Sequence, residues 1–369
     1  MSDPISAPMS APTPARIPVT VLGATGVVGQ RFVRRLAGHP WFEIRHLAAS
    51  DRSAGKCYRD ACAWRLRGEP YAGLGDRGLV EAAVESAGAP VVFSALDTAP
   101  ARELEPAFAG AGSWVFSNAS AFRMEPDVPL LVPEVDPEQL VLVDRQRRER
   151  GWSGAIVCNP NCTATILVLA LAPLAEAFGV TAVHMASMQA ASGAGYPGVP
   201  SLDLMGNVIP YIRGEEEKVE EEVAKMLGRV ADEAVEPLLA LISAACHRVP
   251  VADGHTEAVS VRLNGDPPLE AVRAALADFR GEAQRLDLPS APARPLIVHD
   301  EPDRPQPRLD LDEADGMAVH VGRIRPCPLL GVKMTLLGHN AERGAAGASL
   351  LNAELAVAKG WLPALGNFG

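Results

Sequence analysis

A strand that runs directly into a glycine-spaced turn and then into a helix leaves a chain few architectures, and residues 17–36 have that form. Ile17 to Leu22 is a short β-rich run, and Gly23-Ala24-Thr25-Gly26-Val27-Val28-Gly29 follows at once. Val28, Phe32 and Leu36 then recur at helical spacing until Gly38-His39-Pro40 stops the helix. This is the context in which a dinucleotide fingerprint works. Gly23 allows the tight turn, Gly26 lets the backbone approach a pyrophosphate, and Gly29 lets helix and sheet pack closely. The cofactor-binding candidates here are Gly23, Thr25, Gly26, Val27, Val28 and Gly29. The spacing is G-x-x-G-x-x-G rather than the commoner G-x-G-x-x-G, so a plain glycine turn is the alternative reading.

Phe42 to Ala48 reads as the second strand, ending in Ser50-Asp51-Arg52-Ser53-Ala54-Gly55-Lys56. A doubly wound fold chooses between NAD and NADP at this point. Asp51 stands where a ribose-binding carboxylate is expected, which favours NAD. Ser50, Arg52, Ser53 and Lys56 surround it with hydroxyls and cations suited to a 2′-phosphate, and NADP is the favoured reading. Pro90 to Asp97 and Trp114 to Asn118 look like further parallel strands, with Ser94 and Asn118 at the carboxyl ends where such sheets bind ligands. Arg123 follows in a loop, either holding an anion or lying on the surface.

The chemistry concentrates at Ile156-Val157-Cys158-Asn159-Pro160-Asn161-Cys162-Thr163, where an apolar strand gives way to a long apolar helix, Thr163 to Phe178. Cys162 falls at the helix N-terminus. Unpaired backbone N–H groups and the macrodipole there favour a thiolate, and the same groups suit an oxyanion. A buried cysteine acting as a small hydrophobe is the bland alternative. The turn, the helix start and the downstream partners favour a nucleophile.

Beyond that helix, the strand candidate Ala182 to Met188 leads into Gln189-Ala190-Ala191-Ser192-Gly193-Ala194-Gly195, a glycine-rich turn that is either structural or a close approach to a ligand. Gly214 to Glu222 opens a helix with acids near its start, a charge run that is by default a solvated face, yet Glu215 and Lys218 lie one turn apart on a single face. In Cys246-His247-Arg248-Val249-Pro250-Val251-Ala252-Asp253-Gly254-His255, two histidines compete for the role of base. His247 suits a strand edge, whereas His255 follows a glycine turn that lets an imidazole project into a cleft. Pro267 to Arg280 looks helical, Pro289 to Pro307 is a proline-rich arm, and Leu336 to Asn340 ends a strand before a helix over Gly344 to Leu362. A lone terminal helix of this kind returns to close the first domain.

Composition removes other classes. The chain has 369 residues, enough for two cores, and a net charge of −11 leaves no basic excess for nucleic acid or an anionic membrane. Its apolar runs are too short to span a bilayer. The Pro-, Ser- and Ala-rich residues 1–16 read as a disordered tail. Six cysteines show neither disulfide density nor a completed zinc pattern, so a reducing cytoplasm and no metal are expected.

Together these residues resemble the aspartate-semialdehyde dehydrogenases, in their archaeal and fungal branch, over nearly the whole chain beyond the tail. The likeness is carried by the order and spacing of Gly23 to Gly29, Ser53 to Lys56, Ser117 to Ser120, Asn159 to Cys162, Gly214 to Lys218 and Arg248 through Gly254-His255-Thr256-Glu257. The resemblance implies a phosphorylating aldehyde dehydrogenase that works in biosynthesis as a reductase. Cys162 would attack an acyl phosphate, with His255 as acid/base and Gln189 orienting the acyl group. Arg248 would clamp the substrate carboxylate and Glu215 would meet the ammonium. Lys218 and Arg123 would hold phosphate beside Asn118, and Ser192, Gly193 and Asn340 would lie near the nicotinamide. Asp51 departs from the branch pattern and leaves room for NAD(H) beside NADP(H). A malonyl-CoA reductase shares the scaffold and nucleophile but has no ammonium for Glu215 to bind. N-acetylglutamyl-phosphate reductase and a non-catalytic nucleotide-binding homologue fit less well.

The expected fold is α/β and glyceraldehyde-3-phosphate-dehydrogenase-like. A Rossmann nucleotide-binding domain spans 17–161 and 341–369. An α+β catalytic and dimerisation domain, 162–340, carries a largely antiparallel sheet with helices on one face. The sheet's other face suits a second subunit, giving a homodimer or homotetramer.

Overall fold

The computed structural model describes residues 16–362; the expected tail, save Arg16, and residues 363–369 lie outside the described residues. Six short strands form the first sheet: β1 (Ile17–Leu22), β2 (Phe42–Ala49), β3 (Leu79–Glu81), β4 (Val91–Ser94), β5 (Trp114–Ser117) and β6 (Ala155–Cys158). All pairings are parallel, in the order β3-β2-β1-β4-β5-β6. β4, β5 and β6 are buried along their full length, as befits strands covered on both faces. Helices α1 (Val27–Leu36), α2 (Thr98–Gly110) and α3 (Leu142–Arg150) make the connections. Strand order reverses between β1 and β4, so the ligand crevice of such a sheet opens where Gly23 and Ala95 leave them. The glycine turn sits at that crevice.

After β6, the Asn159-Pro160-Asn161 turn starts α4 (Cys162–Phe178), whose residues from Thr163 to Leu171 are all buried. A helix apolar on every side needs partners all round. α4 packs on the second sheet and against α5 (Glu215–Met226) and α6 (Leu269–Asp278). That sheet holds β7 (Val180–Gln189), β10 (Leu241–Arg248), β11 (His255–Leu263), β12 (Leu296–Val298), β13 (Val319–Cys327) and β14 (Gly331–Gly338), in the order β10-β7-β11-β14-β13-β12. β8 (Arg229–Ala231) and β9 (Ala234–Glu236) form a separate ribbon. The three central pairings are antiparallel, as expected of a largely antiparallel sheet, and the two outer ones are parallel, so the sheet is mixed at its edges. The reason is topological: the chain from β7 to β10 crosses over through α5, and a crossover of that kind delivers a parallel neighbour.

β11 alternates strictly, placing His255, Glu257, Val259, Val261 and Leu263 toward the helices. The final segment departs from the single helix expected over Gly344 to Leu362. Residues Glu342–Ala346 form a π-turn, and α7 (Gly347–Ala358) follows. α7 returns to the first sheet, packing on β4, β5 and α1. No helix among the described residues is long and apolar enough to cross a membrane.

Candidate active site

Cys162 is the first residue of α4, and the Asn161 side chain caps the helix by accepting the N–H groups of Thr163 (2.9 Å) and Ala164 (3.1 Å). Two first-turn donors expected to serve a thiolate or oxyanion are therefore already engaged. The Cys162 Sγ lies 3.3 Å from Nε2 of His255, which is wholly buried at the start of β11. His247 instead turns its Nδ1 to the Ser187 carbonyl, 3.2 Å away, which decides between the two histidines.

The Ala190 N–H donates to His255 Nδ1 at 3.1 Å. An imidazole that accepts at Nδ1 carries its hydrogen on Nε2, so His255 presents a donor to the sulfur. Burial, and then the Arg248 charge, lower the His255 pKa to about 3, so the ring is neutral at physiological pH. The expected thiolate is also corrected. Burial, followed by the Glu215 carboxylate, pushes the Cys162 thiol up to about 12 against the opposing pull of Arg123, Arg248 and the Thr163 N–H. Desolvation outweighs the helix terminus here. Alkylation of the free enzyme by iodoacetamide should accordingly rise about tenfold per pH unit through the neutral range, since only the thiolate reacts. A plateau near neutrality would show a preformed thiolate–imidazolium pair and overturn this reading.

Gln189, at the end of β7, is buried and donates from Nε2 to Glu215 Oε1 at 3.1 Å. Glu215 opens α5 and also accepts from Asn161 Nδ2 at 3.0 Å. Arg248, at the end of β10, anchors Nη1 on the Ala190 carbonyl at 2.7 Å. A buried carboxylate and a buried guanidinium thus act on the same sulfur with opposite sign. Gly193 closes over them: a Cβ there would stand 2.6 Å from Arg248 Nη1 and 3.1 Å from His255 Nε2. Gly193→Ala should lower kcat/KM about a hundredfold through misplacement of both groups, read by steady-state kinetics; unchanged kinetics would show that the loop stands off the site.

Arg123 is buried rather than a surface residue, and is held by Glu222 (3.0 Å) and the Asn118 carbonyl (2.8 Å). Glu222 was not legible as a site residue, although it lies two turns beyond Glu215 on the same face of α5. It also accepts the Asn161 N–H at 2.5 Å. Lys218 is half-buried and makes no side-chain hydrogen bond among the described residues.

The residues present fit a dinucleotide at the glycine turn. Gly23 has φ +71°, and a Cβ there would stand 2.7 Å from the Ala95 carbonyl oxygen. A Cβ on Gly29 would stand 2.1 Å from the Gly23 oxygen, so that glycine is required for packing. Gly26 caps α1 and is exposed, with Thr25, Val27 and Val28 half-buried around it. Ser50, Asp51 and Arg52 are exposed after β2, with Ser53 half-buried. Across the crevice Asn340 bridges the Gly254 N–H (2.9 Å) and Ser192 Oγ (2.9 Å). Asn118 meets Asn159 Nδ2 through Oδ1 at 3.3 Å. Ser94 differs from expectation: its side chain is wholly buried on the fully covered β4, so only its backbone reaches Asn118.

The π-turn supplies a wall that sequence did not reveal. A Cβ on Gly344 would stand 2.5 Å from Cys162 Cβ, and Asn159 Nδ2 donates to the Gly344 carbonyl at 3.2 Å. Glu342 is gripped by Arg31, Arg34 and Arg35 of α1, and Arg343 pairs with Glu134, both fully buried. Single-turn π segments often mark functional sites.

Residues 18–143 match the family model described as semialdehyde dehydrogenase, NAD binding domain, and residues 171–342 match semialdehyde dehydrogenase, dimerisation domain. The chain is 52% identical over 342 residues to an aspartate-semialdehyde dehydrogenase of Archaeoglobus fulgidus, covering 93% of this chain and 98% of that one. It is 51% identical to the one from Methanothermobacter thermautotrophicus, covering 91% and 98%. A crystal structure of aspartate semialdehyde dehydrogenase with NADP from Candida albicans superposes with a TM-score of 0.86 at 43% identity, covering 94% of this chain and 99% of that one. With these likenesses, and with Cys162, the imidazole beside it and the glycine turn arranged as described, the chain belongs to the aspartate-semialdehyde dehydrogenase family.

Proposed function

We propose that the chain reduces L-aspartyl-4-phosphate to L-aspartate 4-semialdehyde, reversibly and with NADPH, in biosynthesis of the aspartate-family amino acids. The observation that carries this reading is the placement of Glu215 and Arg248, both buried, around Cys162: one carboxylate and one guanidinium match the ammonium and carboxylate of an amino-acid substrate. NADP is favoured by Ser50, Arg52, Ser53 and Lys56, with NAD use left open by Asp51. Better competition by 2′,5′-ADP than by 5′-AMP is the expected sign.

Cys162 Sγ attacks the acyl carbon, the carbon–oxygen bond to phosphate breaks, and a thioester remains. The thiol proton leaves with the phosphate, because His255 already carries a hydrogen on Nε2. Lys218 is the cation available to that phosphate, Arg123 being neutralised by Glu222. NADPH, which the glycine turn and the Ser50 to Lys56 loop would hold, would supply the hydride that reduces the thioester carbon. His255 Nε2–H donates a hydrogen bond to the oxyanion of the thiohemiacetal; as the carbonyl reforms the carbon–sulfur bond breaks, and the departing Sγ takes up a proton from solvent to return to the thiol. Gln189 orients the acyl group from its bond to Glu215. Residues 17–161 and 341–369 serve the cofactor, 162–340 the substrate, and the chain works as a cytoplasmic homodimer or homotetramer.

The test is phosphate-dependent reduction of NADP⁺ by aspartate semialdehyde, run beside CoA-dependent oxidation of malonate semialdehyde. Turnover in the first assay alone is expected. Turnover in the second alone would keep Cys162 and His255 in role but reassign Glu215 and Lys218.

A further inference from the structure

The segment between β12 and β13 folds back over the edge of the mixed sheet. His299 follows β12, Asp310 closes a short helical turn (Pro307–Asp310), and His320 lies on β13. Asp310 and His320 are buried and the His299 side chain is only 9% exposed, and one donor atom from each lies within 4.8 Å of the other two. His299 Nε2 is 3.0 Å from His320 Nδ1. The three belong to neither the cysteine site nor the glycine turn.

We propose that His299, Asp310 and His320 form a site for a divalent transition ion of the zinc type, which fastens this strap to the sheet. Two imidazoles and a carboxylate are a ligand set such ions take, leaving a fourth position for water. Zinc–nitrogen bonds of about 2.0–2.1 Å in tetrahedral geometry set ligand atoms roughly 3.4 Å apart, so the imidazoles, at 3.0 Å, would part slightly around an ion and the carboxylate would close toward it. The surroundings orient the ligands as outer partners of a metal do. Glu301 faces His299 Nδ1 at 3.8 Å, while Arg304 Nε (2.9 Å) and the Gln306 N–H (2.6 Å) hold Asp310. Arg304 is the cation that faces the group among the described residues. Asp300, Glu301 and Glu313 also act on His299, and with Asp310 these carboxylates outnumber it. Nε2 of His320 is buried and has no hydrogen-bond partner among the described residues.

The consequence is positional. The strap beyond His299 carries Pro305, Gln306 and Leu311, which wall a cavity of about 1330 Å³ opposite Arg31, Arg35 and Arg65. An ion at its root would fix that wall.

The experiment titrates Co²⁺ into the full-length chain carrying Cys162→Ser, which removes the thiol beside His255 as a rival ligand, and follows the visible bands. Equilibrium dialysis with Zn²⁺ gives the stoichiometry. One equivalent bound at micromolar ion is expected, weakened at least about tenfold by His299→Ala or His320→Ala. Where a variant does not fold, X-ray absorption of the zinc-loaded Cys162→Ser chain should show two imidazoles in the ion's shell. Failure to bind one equivalent, binding unchanged in both histidine variants, or a shell without imidazole would each overturn the proposal and leave a simple hydrogen-bonded histidine pair.

Discussion

Replacing Cys162 by serine should lower turnover about a thousandfold or more, because no group in the site can compensate for a weaker nucleophile. The sulfur already begins as a neutral thiol, pushed up to about 12 by burial and by Glu215. A serine hydroxyl ionises far less readily in the same place. His255 cannot rescue it as a base, since Ala190 holds Nδ1 and leaves Nε2 bearing hydrogen. The helix start helps only through the Thr163 N–H, a donor that Asn161 already shares, and the Ala164 N–H is committed to Asn161. Steady-state kinetics on the variant, with an unchanged circular-dichroism spectrum and retained cofactor binding, make the measurement. Full turnover would refute the assignment. Mass spectrometry of the unmutated enzyme quenched with acyl phosphate should find the thioester on Cys162.

The second large effect is expected far along the chain, at Gly344. An added methyl would stand 2.5 Å from Cys162 Cβ and 2.9 Å from its Cα, below any tolerated carbon contact. Neither side can yield easily. Cys162 begins a helix buried on every side, and the π-turn is clamped by Glu342 on three arginines and by the Arg343–Glu134 pair. Overpacking of this kind costs about 1–3 kcal/mol. A shift of about an ångström in a reacting atom costs about a hundredfold in rate. Gly344→Ala should therefore reduce kcat about a hundredfold with a smaller change in KM. Gly338→Ala is the control: its methyl would meet the Ile166 side chain, 2.5 Å away at Cγ1, in the core beneath the same helix. Comparable thermal destabilisation with kcat retained is expected there. Equal losses of kcat in the two variants would mean that stability alone is being read.

The parts of this enzyme legible in its sequence were those written locally. Strand, glycine turn and helix over residues 17–36 announced the nucleotide half, and the Asn-Pro-Asn turn placed Cys162 at a helix start. Roles for Gln189, Glu215, Arg248 and His255 came from resemblance, and the structure gathers all four around the sulfur. What escaped depends on contacts between segments remote in sequence. Glu222 looked like one more acid in a solvated run until Arg123 and the Asn161 N–H were seen to face it. The donor state of His255 is set by a backbone group at Ala190 that no side-chain pattern encodes. The sign of the cysteine shift was misjudged because a helix terminus is visible in sequence and burial is not. The parallel outer strands of the second sheet, and the π-turn in place of a regular helix, follow from packing across the molecule rather than from periodicity.

The ends of a chain are commonly the first parts to fray, and proteins usually keep their indispensable contacts elsewhere. Here the opposite holds. The π-turn lies against Cys162 while its first residue, Glu342, is fixed to the helix that begins at the glycine turn, so undocking of this segment would unwall Cys162 and release α1 together. Catalytic competence and attachment of the last helix are thus one cooperative event, and a partly frayed molecule is an inactive one.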